Sequence, residues 1–462
     1  MKIKTFIYVI AILTILLTLM AALPFQVNGE EVTSLAKITS GSKDLSLLTD
    51  ENPVEEENPN GRYSYTATEF SPGEKITISH TEKLTGIYVI WQKIYGEWSL
   101  VSGEITQLCG KNGFLHEYVA IENPSTEITI ILPEITSKIC SIYVFTEGEL
   151  PGWVQTWSPP CEKADLMLLS THSDDEHLFF AGILPTYAAE RKLKVQVVYM
   201  TNHWDTINRP HEQINGLWAV GVKNYPVVGP FPDDADTLSK GGEAVENTLK
   251  RSVEIFGEQK LLDFQVEMLE RFKPQVIIAH DTEGEYHHGA HMANTWSLQK
   301  ALEMSAWKVP KTYIHLWSEN KITMNWDQPL SSFGNKTAYE VSKLGYACHD
   351  SQHWTWFTKW LKGDGINKAS DITKYSPCNY GLYKTTVGYD TGKNDFMENI
   401  TPYPDPTPEP LPTEEPTPPV TSEDNPRSPE EATGKKTFIA IFMLVVSFLI
   451  IVVAAIKLKF KG

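Results

Sequence analysis

The sequence predicts an α/β fold built on a mostly parallel sheet, preceded by an all-β sandwich domain. Apolar strand runs alternate with helical stretches from about residue 164 to residue 395, a pattern that βαβ units produce. Short alternating runs punctuated by turn formers fill about residues 39–157 and signal the sandwich. Two of the apolar runs in the second region end in clusters of histidine and carboxylate residues, and ligands collect at such strand ends.

At 462 residues the chain is long enough for two or three units. Lys2 and Lys4, an apolar run over about 6–23 and then Val27-Asn28-Gly29 read as a signal peptide, residues 1–29. The sandwich domain follows at 30–158. Its strand-like runs include 75–79, 86–91, 117–121, 127–132 and 140–145, separated by Ser71-Pro72-Gly73, by a 110–113 turn and by Asn123-Pro124-Ser125. Many sandwiches bind carbohydrate, and Trp91, Tyr95 and Trp98 are either a sugar-stacking platform or core and hairpin residues. The α/β domain occupies 159–398. Its strands are expected at 166–170, 195–200, 276–279 and 312–316, and its helices at 177–191, 209–220, about 242–272 and 291–305. No glycine-rich fingerprint follows the first of these strands, and Gly182 falls inside a helical run, so no nucleotide cofactor is expected. Residues 399–434 are rich in Pro, Glu and Thr and form an extended stalk. An uncharged apolar run then gives a transmembrane helix at 435–457. Lys457, Lys459 and Lys461 lead into a cytoplasmic tail, 458–462, which puts the bulk of the chain on the outer face of the cell membrane.

The net charge of −18 argues against nucleic acid as a partner. The five cysteines fit no zinc-finger spacing; proximity in sequence suggests Cys109–Cys140 and Cys348–Cys378 bridges, leaving Cys161 over.

The chemistry lies in two clusters. After Leu166–Ser170 comes Thr171-His172-Ser173-Asp174-Asp175-Glu176-His177, and after Val276–Ala279 comes Glu285-Tyr286-His287-His288-Gly289-Ala290-His291. Hydrolytic zinc takes three protein ligands and keeps one open position. His172 and Asp175, three apart in a tight turn, and His291 at the start of a helix suit that set, one Zn2+ per chain. Asp174 is left as the base, and His288 is placed to steady an oxyanion or protonate a leaving amine. Glu176 is expected to brace a ligand or the backbone.

These residues resemble the Pro/Ala-His-Pro-Asp-Asp-Glu and His-x-x-His motifs of the PIG-L/LmbE superfamily of zinc-dependent N-deacetylases, over about residues 164–395. The resemblance implies a Rossmann-like, LmbE-like sheet without a dinucleotide. It implies His172, Asp175 and His291 as metal ligands, Asp174 as base and His288 as electrostatic partner, in agreement with the residue-level reading. It also extends to Asn208-Arg209-Pro210-His211-Glu212 and to the 343–352 segment, with Arg209, His349 and Gln352 as candidate substrate-binding residues. The alternatives are an ion pair between Arg209 and Glu212, and a structural hydrogen bond for His349. Trp354, Trp356 and Trp360 are either sugar-stacking or core residues. Ser173 stands where the superfamily usually has Pro, and a slight loosening of the turn is expected there. The expected activity is removal of the acetyl group from an N-acetylated, GlcNAc-type sugar. Hydrolysis of another amide at the same metal site, or a non-catalytic carbohydrate-binding role at the cell surface, are the alternatives.

Overall fold

The computed structural model describes residues 30–50, 65–352 and 365–405. The signal peptide, the transmembrane segment, the tail, the stalk beyond residue 405 and Trp354, Trp356 and Trp360 all lie outside the described residues. Among the described residues no helix is long and apolar enough to cross a membrane.

Seven strands come first: β1 (Lys37–Thr39), β2 (Thr68–Phe70), β3 (Lys75–Trp91), β4 (Trp98–Ser102), β5 (Ile105–Cys109), β6 (His116–Ile131) and β7 (Ser137–Phe145). Hydrogen bonds join them in one sheet of order β2-β7-β3-β6-β4-β5, with β1 on β3. The sequence suggested a break in the middle of β3 and of β6. Each is instead a single long strand, and their mutual register shifts between Ser79 and Gly86 of β3, opposite Glu127 to Ala120 of β6. Such irregularities bend a strand without ending it, and Asn123-Pro124-Ser125 is absorbed inside β6. The hydrogen-bonded arrangement is therefore one sheet where two were expected. Ile76, Ile78, Ile87 and Val89 enter one core, while Tyr88, Ile90, Tyr143 and Phe145 enter a second. Trp91 and Trp98 are buried, and Trp98 donates its indole N–H to Glu117 Oε2 at 2.7 Å, so these two belong to the core.

The second sheet contains β8 (Leu166–Ser170), β9 (Val195–Asn202), β10 (Val227–Pro232), β11 (Val276–Ala279), β12 (Lys311–His315), β13 (Lys321–Thr323) and β14 (Asn379–Thr385). Its order is β10-β9-β8-β11-β12-β14-β13. The pairs from β10 to β12 are parallel, and β14 runs antiparallel to β12 and β13. The chain winds outward from β8 to β10 and then returns to β11 on the other side of β8. The crevice beyond the carboxyl ends of β8 and β11 is thus the point where the order reverses, the place such sheets bind ligands. Leu166 and Leu168 face one core and Met167 and Leu169 the other, so both faces of the sheet are covered.

The helices are α1 (Asp175–Leu178), α2 (Asn208–Ala219), α3 (Val245–Phe256), α4 (Glu258–Phe272), α5 (Gly289–Met304) and α6 (Ala338–Ala347). The helix expected over 177–191 is interrupted. Gly182 has φ +92°, and a Cβ there would meet the Trp326 ring at 2.4 Å, so packing against Trp326 forces the break. Gly257, at φ +85°, divides the expected 242–272 helix into α3 and α4.

All five cysteines are buried free thiols, against the expected bridges. Cys109 ends β5 at the sheet edge, whereas Cys140 lies in β7, four strands away in the order. Cys348 instead sets its thiol 3.6 Å from the Leu344 carbonyl oxygen of its own helix.

The described residues up to Pro404 cluster as one unit. His116 Nε2 lies 2.8 Å from His211 Nδ1, the Leu115 N–H donates to Tyr225 Oη at 2.9 Å, and Gln155 Nε2 donates to Asn215 Oδ1 at 2.6 Å. These contacts fasten the first sheet and the chain after it to α2 and the segment that follows.

Candidate functional site

Each of the five parallel strands delivers a side chain to the crevice at its carboxyl end. Beyond β8 come His172, Asp174 and Asp175; beyond β9, His203; beyond β10, Asp233; beyond β11, His280 and Glu285; and β12 itself ends in His315. A cavity of about 410 Å³ opens there, lined by His172, Asp174, Asp175, Arg209, Asp233, Tyr286, His288 and Gln352 among others. That volume suits a small polar ligand.

Three ligand-type atoms meet on the cavity floor. His172 Nδ1 lies 3.1 Å from His291 Nε2, and Asp175 Oδ2 lies 3.3 Å from each of them. Tetrahedral zinc with bonds of about 2.0–2.1 Å would space its ligands by about 3.3–3.4 Å, so the triangle has the size of one metal face. The proton positions agree with this use. His291 Nδ1 is 2.6 Å from Glu285 Oε2, which holds a proton there and leaves Nε2 facing inward as the ligand atom. His172 Nε2 lies 3.5 Å from Asp233 Oδ1 and makes no hydrogen bond among the described residues. Burial disfavours charge on His291, but Asp175 and Glu285 outweigh it and raise its pKa to about 10. Burial likewise opposes ionisation of Asp175, yet His291 and His172 hold it well below the usual carboxylate range. The pocket floor thus favours a positive charge between these three groups. Zinc fits this donor set.

Asp174 sits at φ 138° just before α1, held by a bond from its own N–H to Glu176 Oε2 at 2.9 Å. Burial and the neighbouring Asp175 push its carboxyl well above the usual range, with Arg209 pulling the other way from 3.8 Å. His288 caps α5, its Nδ1 accepting the Ala290 N–H at 3.2 Å, which leaves Nε2 to carry the proton. Burial and the adjacent His172 and His291 keep its pKa well below the ordinary value, so His288 is a neutral donor. Its ring stacks on His291 at 4.6 Å.

The other expected residues divide. Arg209 reaches the cavity and donates to Asp233 Oδ2 at 3.0 Å, while Glu212 takes bonds from Ser351, so these two do not pair with each other. Gln352 lines the cavity. His349 does not; it is buried behind the turn, 3.5 Å from Glu176 Oε1. Its proximity to Gln352 in sequence gave no hint of this, because a 3-10 turn at Asp350–Gln352 sends the two side chains to different surroundings.

Several residues of the site escape the sequence reading. Glu285 stands there only as part of a motif, yet it gathers three imidazoles, from His280 Nδ1 at 2.8 Å, His291 Nδ1 at 2.6 Å and His315 Nδ1 at 2.6 Å. His280 also accepts the Thr171 N–H through Nε2 at 3.1 Å, so it braces the first loop and is not free to ligate. The same rule of strand ends would have found His280, His315, His203 and Asp233. For Asp233 the signal is masked, because Pro230 and Pro232 disguise β10.

No family model matches the chain. Among curated proteins, a 1D-myo-inositol 2-acetamido-2-deoxy-alpha-D-glucopyranoside deacetylase of Mycolicibacterium gilvum is 24% identical over 177 residues, covering 35% of this chain and 62% of the relative. This relative supports the resemblance to the PIG-L/LmbE superfamily. The chain spans less than two thirds of that relative's length. Among solved structures, a conserved protein from Thermus thermophilus has 14% identity and a TM-score of 0.32, covering 49% of this chain and 97% of its own. An N,N'-diacetylchitobiose deacetylase from Pyrococcus horikoshii has 12% identity and a TM-score of 0.31, covering 48% of this chain and 84% of its own. Where the superfamily usually has Pro, the Ser173 N–H donates to His203 Nε2 at 3.3 Å, a bond proline has no hydrogen to make. The bond links this turn to His203, just beyond β9.

Proposed function

We propose that this chain is a zinc-dependent hydrolase that removes the acetyl group from an N-acetylated, GlcNAc-type sugar. One observation carries the reading: His172 Nδ1, Asp175 Oδ2 and His291 Nε2 form a triangle with edges of 3.1–3.3 Å on the floor of a cavity that Asp174 and His288 also line. The curated relative is itself named for removing acetyl from an acetamido-glucose group, which supports the substrate class.

His172, Asp175 and His291 would hold one zinc ion, which supplies Lewis acidity toward water and the acetyl carbonyl. Asp174 takes the proton of the attacking water; the bound cation would offset the burial that otherwise keeps this carboxyl protonated. His288, neutral and protonated at Nε2, donates to the carbonyl oxygen as negative charge develops on it. The proton collected by Asp174 is then delivered to the departing amine, which leaves as the sugar's free amino group beside acetate. Arg209 and Asp233, joined across the cavity, offer a donor and an acceptor for sugar hydroxyls. His349, expected among the substrate contacts, has no part in this scheme.

Anchoring to the outer face of the cell membrane forms part of the proposal. It rests on the apolar runs of the sequence at 6–23 and 438–456. Residence in the membrane fraction after alkaline washing, with the α/β domain open to added protease on intact cells, is the expected result. The activity is tested by acetate release from a panel of N-acetylglucosaminides with and without chelator. Release that is unaffected by complete metal removal would refute the reading.

A further inference from the structure

A second group of ligand-type side chains lies behind the turn that presents Asp174. Glu176, His177 and His349 offer one ligand atom each, all within 4.8 Å of one another, and all three residues are buried. Glu176 Oε1 is 3.4 Å from His177 Nε2 and 3.5 Å from His349 Nε2. None of these atoms has a hydrogen-bond partner among the described residues, and His349 Nδ1 has none either. Both histidines and the glutamate keep only 1% of their surface exposed. The three face one another at ion-pair distance but without a hydrogen bond, and leaving a buried polar group without one costs of order 1–3 kcal/mol for each neutral group, so the arrangement calls for something that satisfies them together.

Glycine lets α2 pack close against the two rings. A Cβ on Gly216, within α2, would lie 2.8 Å from His177 Nε2, 2.8 Å from His349 Nε2 and 3.0 Å from the Gly345 carbonyl oxygen. Glycine inside a helix is unfavourable by about 1 kcal/mol relative to alanine; here it allows the α2 backbone to approach two ring nitrogens and a carbonyl oxygen that any side chain would displace. Glu176 supplies the negative charge beside the rings.

We propose that Glu176, His177 and His349 form a second metal site that binds a divalent cation, zinc by its two ring nitrogens and carboxylate, with the Gly345 carbonyl oxygen as a fourth donor. The site is distinct from the cavity triangle and has a structural role. Glu176 uses its other oxygen to hold the Asp174 N–H, so a cation there would fasten α1 to the end of α6 beneath the turn that carries the proposed base.

The full chain, stripped with chelator and titrated with zinc alone, is expected to take up two equivalents. His349→Ala and Gly216→Ala should each take up one, the second because its methyl would push both ring nitrogens out of place without removing a ligand. His172→Ala should also take up one, and the His172→Ala/His349→Ala double variant none. A wild type that saturates at one equivalent overturns the proposal, as does a folded His349→Ala protein that still binds two. Should the variants fail to fold, an anomalous difference map of wild-type crystals at the zinc edge decides: a peak between Glu176, His177 and His349 supports the site, and its absence at saturating zinc overturns it. Loss of metal from the cavity triangle alone is read separately, through His172→Ala.

Discussion

The contact between His116 and His211 makes stability depend on pH in a way that can be measured. Both rings are fully buried, 2.8 Å apart at Nε2 and Nδ1. Burial, with His211 nearby, lowers the His116 pKa well below 6.5, and burial lowers that of His211 to about 3. The folded protein thus keeps both rings neutral while the unfolded chain takes up protons as the pH falls through 6.5. The unfolded state then binds more protons, so stability decreases with falling pH. The loss begins near 6.5 and continues toward the folded value, about 3 for His211. Going from about pH 7.5 to about pH 5.5, one such histidine costs about 1.4 kcal/mol, and the pair up to about 3 kcal/mol. His177, His203, His280 and His288 are also held below their ordinary values and add to the total slope. A His116→Leu/His211→Leu variant isolates the pair, because it leaves those four in place. Urea unfolding at both pH values should show a pH-induced loss smaller than wild type by up to about 3 kcal/mol. Equal losses in the two proteins would refute the claim that this contact excludes protons. The effect bears on the site because His211 lies in α2, which also carries Arg209 into the cavity.

Other expectations follow from the same geometry. Asp174→Asn should retain zinc in the cavity triangle, measured by metal analysis, while turnover falls about 100- to 10,000-fold. His288→Ala should also keep the metal and lose about 100- to 1,000-fold in kcat; since His288 acts as a neutral donor, the alkaline limb of the pH–rate profile should not move, and a shift in that limb would restore it as a proton donor of the charged kind. Glu285→Gln removes the charge shared by His280, His291 and His315 and should weaken zinc binding about 10- to 100-fold in a competition titration. Deleting residues 30–158 uncovers His211 and Tyr225 and removes the Gln155–Asn215 bond, so the remaining α/β domain should unfold at a lower urea concentration than the intact chain.

Much of the site was legible in the sequence because its signals are local. Strands 166–170 and 276–279 are apolar runs bounded by polar residues, and they occur as β8 and β11 with the same limits. A short apolar run that stops at His-Ser-Asp-Asp marks a strand meeting a polar crevice, so His172, Asp174, Asp175, His288 and His291 could be named from their neighbours alone. The interruptions at Gly182 and Gly257 were not legible, since the first depends on Trp326, distant in the chain.

Tertiary structure alone decided the remainder. The switch in strand order beside β8 brings His172 within 3.1 Å of His291, 119 residues later. The same closure gathers His280, Glu285 and His315 and directs Asp233 toward His172. It also removed expectations that rested on nearness in sequence. Cys109 and Cys140 are held apart by the strands between β5 and β7, and the packing of α2 against α6 sets His349 against Glu176 and His177. Hydrophobic pattern is a property of a segment and survives in any context. Which polar side chains meet depends on the order in which segments pair, and that order is settled only when the whole sheet closes around its core.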